Sequence, residues 1–367
     1  MHIGIDAREL VGQRTGVGRY LANLCAEWRG TPDRHRFTLF AHTPGHDLAA
    51  LGDPFLDGPA GRFRYHPIPG NGGSGWEQGA LARALAHAPP DVLFAPAYTA
   101  PLTTRVPVVL TIHDISFITH PEWFSWREGL RRRWLTRLAA QRATRVIAVS
   151  DFTRQEVCRT LGLSTTAVSV VWSGIHRPPA IHAVSREPIV LFVGSIFNRR
   201  HIPELIRAFA LVTRRVPLAR LVLVGDNRSF PFVDPARLAA RAGLADRIRV
   251  TSYVDETELA RLYETAKVFV FLSEYEGFGL PPLEAMAAGI PVVVGDTPVA
   301  RELYADAARR VPVDDTAAIA DALTTLLVDE AAGARLHRAA SIRMARFTWS
   351  RAARETLTIL EHAGVRE

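Results

Sequence analysis

Short apolar runs alternate with amphipathic helical patterns along this chain, and the alternation occurs in two successive series. The apolar runs of the first series are His2–Ala7, Arg36–Ala41, Asp91–Ala95, Val106–His113 and Arg145–Ser150. Those of the second series are Pro188–Gly194, Leu221–Gly225, Ile248–Ser252, Val268–Leu272 and Pro291–Val294. Strands that are buried on both faces are apolar over most of their length, and strands that alternate with helices are typical of parallel sheets. The pattern therefore predicts an α/β protein with two parallel-sheet domains.

The stretch between the two series predicts where the domains meet. Ser173–Ala180 contains a glycine and two prolines, which favour an interdomain connection. A length of 367 residues also suits two domains of ordinary size. We expect domains over residues 1–178 and 179–346, followed by a capped amphipathic helix over residues 347–367.

Composition and charge narrow the class of protein. The hydrophobic content of 48% is that of a globular chain, and no stretch approaches the roughly 20 apolar residues of a membrane span. The start of the chain has a strand pattern rather than a signal peptide, so we expect a cytoplasmic protein. The net charge of +7 comes almost wholly from arginine, since Lys267 is the only lysine, and it favours anionic partners. The chain contains no zinc knuckle, helix-turn-helix signature or aromatic RNA-binding motif, which argues against nucleic acid.

A strand-to-helix junction over Ser273–Gly289 carries the strongest candidate site. It places Glu276 and Glu284 eight positions apart across a glycine loop, and Pro281-Pro282 favour the first turn of a helix. We expect Glu276 in the loop and Glu284 in that first turn, where the helix dipole alone would also favour an acid. Carboxylates accept hydrogen bonds well from sugar hydroxyls.

Backbone amides at the same junction predict an anion site. The amides that follow Phe278, at Gly279 and Leu280, adjoin a helix N-terminus, which suits a phosphate group.

A second candidate segment follows the strand that ends at Gly194. It reads Ser195-Ile196-Phe197-Asn198-Arg199-Arg200-His201. A fixed cation stabilises negative charge that develops on a leaving oxygen, and arginine can hold a phosphate group with two hydrogen bonds. Arg200 is our first candidate for this role and Arg199 the second, while solvated arginines without a role are the alternative.

The first series of strands carries further candidates. Gly16-Val17-Gly18 follows the first strand and opens a helix, so its amides could reach a diphosphate or an acceptor, although an ordinary turn explains them equally well. The motif is not a dinucleotide fingerprint, because Leu21 stands where the third glycine is needed. His113 ends an apolar strand, and the carboxyl ends of parallel strands are where ligands bind. A structural histidine bonded to a carbonyl is the alternative.

Together these stretches resemble the E-x7-E retaining glycosyltransferases with two facing Rossmann-like domains, the GT-B fold, and within them the mannosyltransferase-like family four. The matching segments are Gly16–Tyr20, Thr111–Phe117, His120–Trp123, Val193–Ser195 and Ser273–Gly289. The resemblance implies that the last helix crosses back onto the first domain. It also implies retention of the anomeric configuration with neither metal nor cofactor. One departure is Arg199-Arg200-His201, where the family usually has Arg-Lys-Asn or Arg-Lys-Gly.

The resemblance also assigns roles. His113 and Glu276 would contact the transferred sugar, Glu284 the ribose, and Tyr253-Val254 the rim of the base pocket, with Arg200 and backbone amides at the diphosphate. The implied function is transfer of a hexose, with mannose from GDP-mannose preferred, to a glycan or lipid-linked acceptor in cell-surface polysaccharide synthesis. UDP-glucose or dTDP-rhamnose donors, a nucleotide-sugar isomerase or epimerase on the same scaffold, and a nonenzymatic binding protein remain alternatives.

One further segment bears on partners. Trp126–Leu138 is a basic helix with tryptophan and leucine between its arginines, a pattern that fits peripheral contact with anionic lipid at the inner face of a membrane. A solvated helix face is the alternative.

Overall fold

The structure is a computed structural model that describes residues 1–12, 16–31, 35–43, 61–176 and 186–365, without the side chains of residues 43 and 126–128. It contains two compact units. The first comprises the described residues of Met1–Thr119, Trp126–Gly174 and Thr348–Glu367, and the second comprises those of His120–Ser125 and Ile175–Phe347.

The division of the chain differs from the prediction in one respect. The predicted boundary at residue 178 lies outside the described residues, and the units divide between Gly174 and Ile175. Residues 120–125, which we assigned to the first domain, belong to the second unit. The reason is ring packing, because His120 and Trp123 lie against Tyr275.

The described part of the first unit contains one seven-stranded sheet in the order β3-β2-β1-β4-β5-β6-β7, and every neighbouring pair is parallel. Its strands are β1 (His2–Asp6), β2 (Arg36–Thr43), β3 (Phe63–Pro69), β4 (Val92–Ala95), β5 (Val108–Ile112), β6 (Arg145–Ala148) and β7 (Val168–Val170). In β1, which lies between β2 and β4, Ile5 is paired with Leu39 on one side and Phe94 on the other. All three side chains are fully buried, which explains the apolar composition of these runs.

Helices cover this sheet. They are α1 (Gly16–Gly30), α2 (Ala82–His87), α3 (Ser116–Thr119), α4 (Trp126–Arg142), α5 (Asp151–Leu161) and the final helix, labelled α13 below (Trp349–Gly364). Thr348 begins the final helix, since its side chain accepts a hydrogen bond from the Arg351 amide. Leu360 of that helix shares a buried core with Trp28 of α1. The Trp28 indole donates to the Ala353 carbonyl at 2.9 Å, so the final helix is an integral layer of the first unit.

The described part of the second unit contains one six-stranded parallel sheet in the order β10-β9-β8-β11-β12-β13. Its strands are β8 (Glu187–Val193), β9 (Arg220–Val224), β10 (Ile248–Thr251), β11 (Ala266–Phe271), β12 (Val292–Gly295) and β13 (Ala308–Val311). Its helices are α6 (Ile202–Arg215), α7 (Pro235–Arg241), α8 (Glu256–Thr265), α9 (Leu280–Ala287), α10 (Pro298–Leu303), α11 (Thr316–Val328) and α12 (Glu330–Met344). Successive strands are added toward one edge of the sheet from β8 to β10 and toward the other edge from β11 to β13. The parallel carboxyl ends of β8 and β11 therefore adjoin at a switch point of the kind where open α/β sheets bind ligands.

The two parallel sheets confirm the predicted fold class. The sequence analysis did not identify β3, β7 and β13. These are edge strands of their sheets. Each is either short or has exposed residues among its buried ones, so none contains a long apolar run. Across the residues that the structure describes, no helix is both long and apolar enough to span a bilayer.

Candidate functional site

Arg200 and Glu276 form a buried ion pair at the carboxyl ends of β8 and β11. The Arg200 Nε and Nη2 atoms lie 3.1 and 3.0 Å from Oε1 of Glu276. Ser273 Oγ donates to the same oxygen at 2.9 Å. Among the described residues no hydrogen bond reaches Oε2, so one carboxylate oxygen is held by the protein and the other is unclaimed. The side chains of Arg200 and Glu276 are 10% and 16% exposed.

The position of Arg200 depends on the backbone that precedes it. Its Nη1 donates to the Ser195 carbonyl at 2.6 Å, and its guanidinium carbon lies 4.7 Å from the centre of the Phe271 ring. Gly194 has φ +139°, and a Cβ there would stand 2.6 Å from Arg200 Nη1. Glycine is therefore required for the guanidinium to approach the end of β8. Burial lowers the pKa of Arg200, and the charge of Glu276 opposes that shift.

Tyr304 holds the loop that leads into α9. Its hydroxyl donates to the Gly279 carbonyl at 2.9 Å and lies 3.3 Å from the Phe278 carbonyl. Gly279 is the N-cap of α9 with φ +84°, and a Cβ at this position would collide with the Tyr304 hydroxyl. Burial raises the pKa of Tyr304 well above its ordinary value, and the charge of Glu276 adds to the effect. The hydroxyl therefore stays protonated and serves as a donor.

Two predictions about this junction need correction or refinement. Glu284 does not lie in the first turn of α9, because the helix begins at Leu280 and its first turn holds no acid. Glu284 instead accepts a 3.4 Å hydrogen bond from the Tyr263 hydroxyl through Oε2 and is partly exposed. Phe278 is 6% exposed and packs edge-on against Phe347, so its side chain belongs to the core. A donor contact of its backbone stays a prediction.

The other predicted donor residues of the second unit lie in different environments. The Ser195 carbonyl is occupied by Arg200. Arg199 is 8% exposed and lies between aromatic rings. Val254 is half-buried after β10, next to Tyr253, which is 71% exposed. The structure thus links Ser195, Arg200 and Glu276 by direct hydrogen bonds, while Glu284 is bonded to Tyr263. The roles of Val254 and Glu284 at the donor stay predictions.

In the first unit, His113 is fixed in one tautomer. Its Nε2 lies 2.8 Å from the Pro96 carbonyl, which can only accept, so Nε2 carries the proton. Burial lowers the pKa of His113, although the Pro96 carbonyl and the charge of Asp114 act in the opposite direction. The rings of Tyr20 and Tyr98 contact the imidazole at centroid distances of 4.9 and 5.6 Å. His113 is therefore a neutral imidazole whose Nδ1 is a hydrogen-bond acceptor, and the described part of the chain supplies no donor to it.

Gly16 and Gly18 open α1 as predicted, but their environments differ. Gly16 is exposed, and a Cβ would meet nothing within 4 Å. Gly18 is buried. A side chain at position 16 would therefore strain nothing in the first unit itself.

A buried charged cluster at the end of β1 was not identified from the sequence. Arg8 pairs with Asp6 at 2.8 Å and with Glu77, and Thr99 donates to the same Glu77 oxygen at 2.7 Å. Asp6 is 1% exposed and Glu77 is fully buried. Burial raises the pKa of Asp6 to about 6, with Arg8 opposing and Glu77 adding to the shift. The Asp6-x-Arg8 spacing after a buried strand was the available signal, but Glu77 lies 69 residues from Arg8 and has no local signal.

No group of three or more histidine, cysteine or acidic side chains stands in a metal-binding arrangement among the described residues.

Comparisons with known proteins identify the family. Residues 14–177 match the family described as Glycosyltransferase Family 4, and residues 178–343 match Glycosyl transferases group 1. An O-antigen chain mannosyltransferase B from Escherichia coli is 29% identical over 234 residues, which are 60% of this chain and 61% of that protein. The chain thus spans about three fifths of that relative. The Xanthomonas campestris GDP-mannose:cellobiosyl-diphosphopolyprenol alpha-mannosyltransferase is 27% identical over 69% of this chain and 67% of that protein.

Solved structures share the fold. Sucrose-phosphate synthase from Thermosynechococcus elongatus superposes with a TM-score of 0.76 at 20% identity, covering 99% of this chain and 98% of that one. Anabaena HepE in complex with UDP and glucose gives a TM-score of 0.72 at 21% identity, covering 98% and 99% of the two chains. Since the two family models together span residues 14–343 and the fold agrees, the chain belongs to the family-four glycosyltransferases with the GT-B fold.

Proposed function

We propose that this protein is a retaining, metal-independent hexosyltransferase that moves mannose from GDP-mannose to a glycan or lipid-linked acceptor in cell-surface polysaccharide synthesis. The observation that carries the proposal is the Arg200–Glu276 pair at the switch point of the second sheet, in which the described residues leave one carboxylate oxygen unclaimed. The names of the E. coli and X. campestris mannosyltransferases favour mannose and, for the second, a lipid-linked acceptor.

The chemistry follows from what each group can do. The bond between the anomeric carbon and the diphosphate oxygen breaks, and its electron pair stays on that oxygen, where a fixed guanidinium stabilises the developing charge. We assign this role to Arg200. The Oε2 atom of Glu276, which the described residues leave unclaimed, accepts a hydrogen bond from a hydroxyl of the sugar. The acceptor oxygen forms the new bond to the same carbon, and its proton passes to the departing diphosphate. His113 offers Nδ1 to a sugar hydroxyl and, being neutral, adds no charge.

The donor can be tested directly. Purified protein is titrated with GDP, UDP, dTDP and ADP by calorimetry and is then incubated with the matching radiolabelled sugar nucleotides and a panel of lipid-linked and glycan acceptors. Tightest binding of GDP and label transfer from GDP-mannose support the proposal. Preference for UDP would move the donor toward UDP-glucose, in keeping with the UDP in the HepE complex. An epimerised donor without transfer would indicate an isomerase, and no binding of any nucleotide would refute the assignment.

Retention and metal independence need separate measurements. The anomeric proton coupling of the first-formed product reports its configuration relative to the donor. Turnover in excess chelator, compared with turnover in added Mg²⁺ or Mn²⁺, reports the metal requirement. An inverted product, or activity that disappears with chelator and returns with metal, would overturn the corresponding part of the proposal.

We also propose that α4 contacts anionic lipid. Leu130 and Trp134, which are one helical turn apart, are 52% and 60% exposed, and Arg131 and Arg137 are exposed on the same helix. An exposed apolar pair among arginines suits a lipid surface. Sedimentation with vesicles containing anionic lipid, but not with neutral vesicles, is expected, and Trp134→Ser should weaken it. Equal sedimentation of the variant would contradict the role of this face.

A further inference from the structure

Residues 120–125, here called the strap, lie against the loop that carries Glu276. The chain on either side of the strap belongs to the first unit, but the strap itself belongs to the second. The rings of His120 and Trp123 are stacked at 4.0 Å with an interplanar angle of 8°. Both meet Tyr275 edge-on, at 5.3 and 6.2 Å. Tyr275 is 6% exposed and immediately precedes Glu276, so the strap borders the candidate site.

Arg199 connects the strap to the same loop. Its guanidinium carbon lies 4.4 Å from the centre of the Phe197 ring and 5.7 Å from the ring of Trp123. Its carbonyl accepts the amide of Glu274 at 2.9 Å. Its side chain therefore contacts the strap while its backbone anchors the segment that leads to Glu276.

The hydrogen-bonding state of Arg199 differs from that of its neighbour Arg200. Arg200 is neutralised by Glu276 and gives a further hydrogen bond to the Ser195 carbonyl. Arg199 is 8% exposed, and in the described part of the chain it has no acidic partner and no hydrogen bond to its Nε. A buried cation with an unused donor is costly unless an anion or another acceptor completes it. Two aromatic faces stabilise the charge but cannot satisfy the N–H group.

We propose that the guanidinium of Arg199 donates to a phosphate oxygen of the nucleotide-sugar donor and that Trp123, stacked on His120, is the residue that positions Arg199 for this contact. The inference rests on the proposed function, because it assumes that an anionic nucleotide enters the site beside Glu276. It makes the strap a part of the donor site of the second unit. Arg200 then stabilises the leaving group while paired with Glu276, and Arg199 supplies the uncompensated charge that attracts the diphosphate.

The test compares the affinity of variants for the nucleoside diphosphate that the wild-type protein binds most tightly. Trp123→Leu removes the aromatic face and is expected to lower the affinity about tenfold and to raise the donor KM similarly, with kcat changed by less than about threefold. Trp123→Phe keeps a ring and should return the affinity to within about threefold of wild type. Arg199→Gln should lower the affinity at least as much as Trp123→Leu, and Arg199→Lys, which keeps the charge but not the planar stack, should fall between.

A matched control uses the same substitution at another tryptophan–arginine contact. Trp172 lies 5.9 Å from the guanidinium of Arg351 in the first unit, and Trp172→Leu should leave nucleotide affinity unchanged. Thermal unfolding of each variant shows whether the fold is retained. If Trp123→Leu does not fold, the Arg199 variants and Trp123→Phe still decide the matter.

The outcomes separate this inference from the proposed function. If the wild-type protein binds no nucleoside diphosphate, the proposed function fails first. If the wild-type protein binds one and folded Arg199→Gln binds it equally well, the inference is overturned while the function stands. The inference is also overturned if Trp123→Leu lowers kcat and affinity equally and Trp123→Phe does not restore them, because Trp123 would then have a general structural role.

Discussion

Arg200 and Glu276 meet through a single carboxylate oxygen, Oε1, which also accepts the hydroxyl of Ser273. The second oxygen is unclaimed by the described residues, so a sugar hydroxyl can bind Glu276 without breaking the ion pair. The pair can then remain intact through the reaction, with the guanidinium directed by the protein and the carboxylate shared between protein and substrate. This arrangement predicts opposite effects on nucleotide affinity when the two residues are replaced.

Replacing Glu276 by Gln should abolish most sugar transfer while leaving nucleotide binding intact. The amide removes the charge that orients the sugar, and we expect kcat/KM to fall by at least about a hundredfold, the loss typical of a strong transition-state interaction. Because Arg200 loses its counter-charge, affinity for the sugar-free nucleoside diphosphate should stay the same or rise. Steady-state kinetics and calorimetry measure the two effects. Glu274→Gln is the control, since its side chain is 39% exposed and pairs with His201, and wild-type turnover by Glu276→Gln would refute the role.

Replacing Arg200 by Ala should weaken binding of the same nucleoside diphosphate. A lost charge-assisted contact to phosphate is worth about 1.5–3 kcal/mol, which corresponds to roughly tenfold to hundredfold in affinity. Calorimetry at neutral pH checks this, with Arg228→Ala as the control because Arg228 is 59% exposed in a surface pair with Asp226. Unchanged affinity in the Arg200 variant would exclude a diphosphate contact.

The contact between Gly279 and Tyr304 predicts a coupled pair of mutations. Gly279→Ala places a Cβ against the Tyr304 hydroxyl at φ +84°, so we expect a loss of stability of about 1–3 kcal/mol and a displaced loop. Tyr304→Phe alone removes a buried hydrogen bond and should cost about 1 kcal/mol.

The double variant should be more stable than the sum of the two losses predicts, because deleting the hydroxyl relieves the collision while the backbone strain remains. Denaturant unfolding of the four proteins gives the coupling free energy. Strict additivity would show that the two groups do not collide.

The tautomer of His113 has a spectroscopic consequence. The Pro96 carbonyl requires the proton on Nε2, and burial lowers the pKa from the ordinary value of 6.5. As pH falls, this histidine is protonated at a higher pH in the unfolded chain than in the folded chain. It therefore lowers the free energy of unfolding as pH falls below about 6.5. Two-bond ¹H–¹⁵N spectra should show one histidine as the neutral Nε2–H tautomer at pH 6.5, and its signals should be absent in His113→Gln. A proton on Nδ1, or titration above pH 6.5, would contradict this geometry.

Asp6 predicts a pH dependence of stability in the first unit. Its pKa is raised from 3.8 to about 6, so between these values the folded carboxyl keeps its proton while the unfolded one has lost it. Its contribution to stability is therefore greatest below about pH 4 and is lost as pH rises toward 6. The free energy of unfolding, measured with urea across this pH range, should fall less steeply with rising pH for Asp6→Asn than for wild type. Asp151→Asn serves as the control, since Asp151 is 42% exposed, and an unchanged slope in Asp6→Asn would refute the shift.

The central strands were predictable because burial on both faces leaves a continuous apolar run, and β1, β5, β8 and β11 begin and end within about two residues of the predicted limits. The family was likewise predictable from local motifs at strand ends, and the comparisons confirm it. The edge strand β3 was missed because only part of it is buried.

Some features of the site depend on local sequence, and others depend on contacts between distant segments. The sequence by itself determined that arginine, glutamate and glycine would stand at the ends of β8 and β11, since strand and loop patterns act over a few residues. Only the tertiary structure decided that Arg200 would bind Glu276, 76 positions away, through one carboxylate oxygen. It also decided that Arg199 would lie against Trp123 of the strap. Such pairs depend on which loops the order of strands in the sheet brings together and on how much solvent burial removes. The spacing of residues along the chain predicts neither.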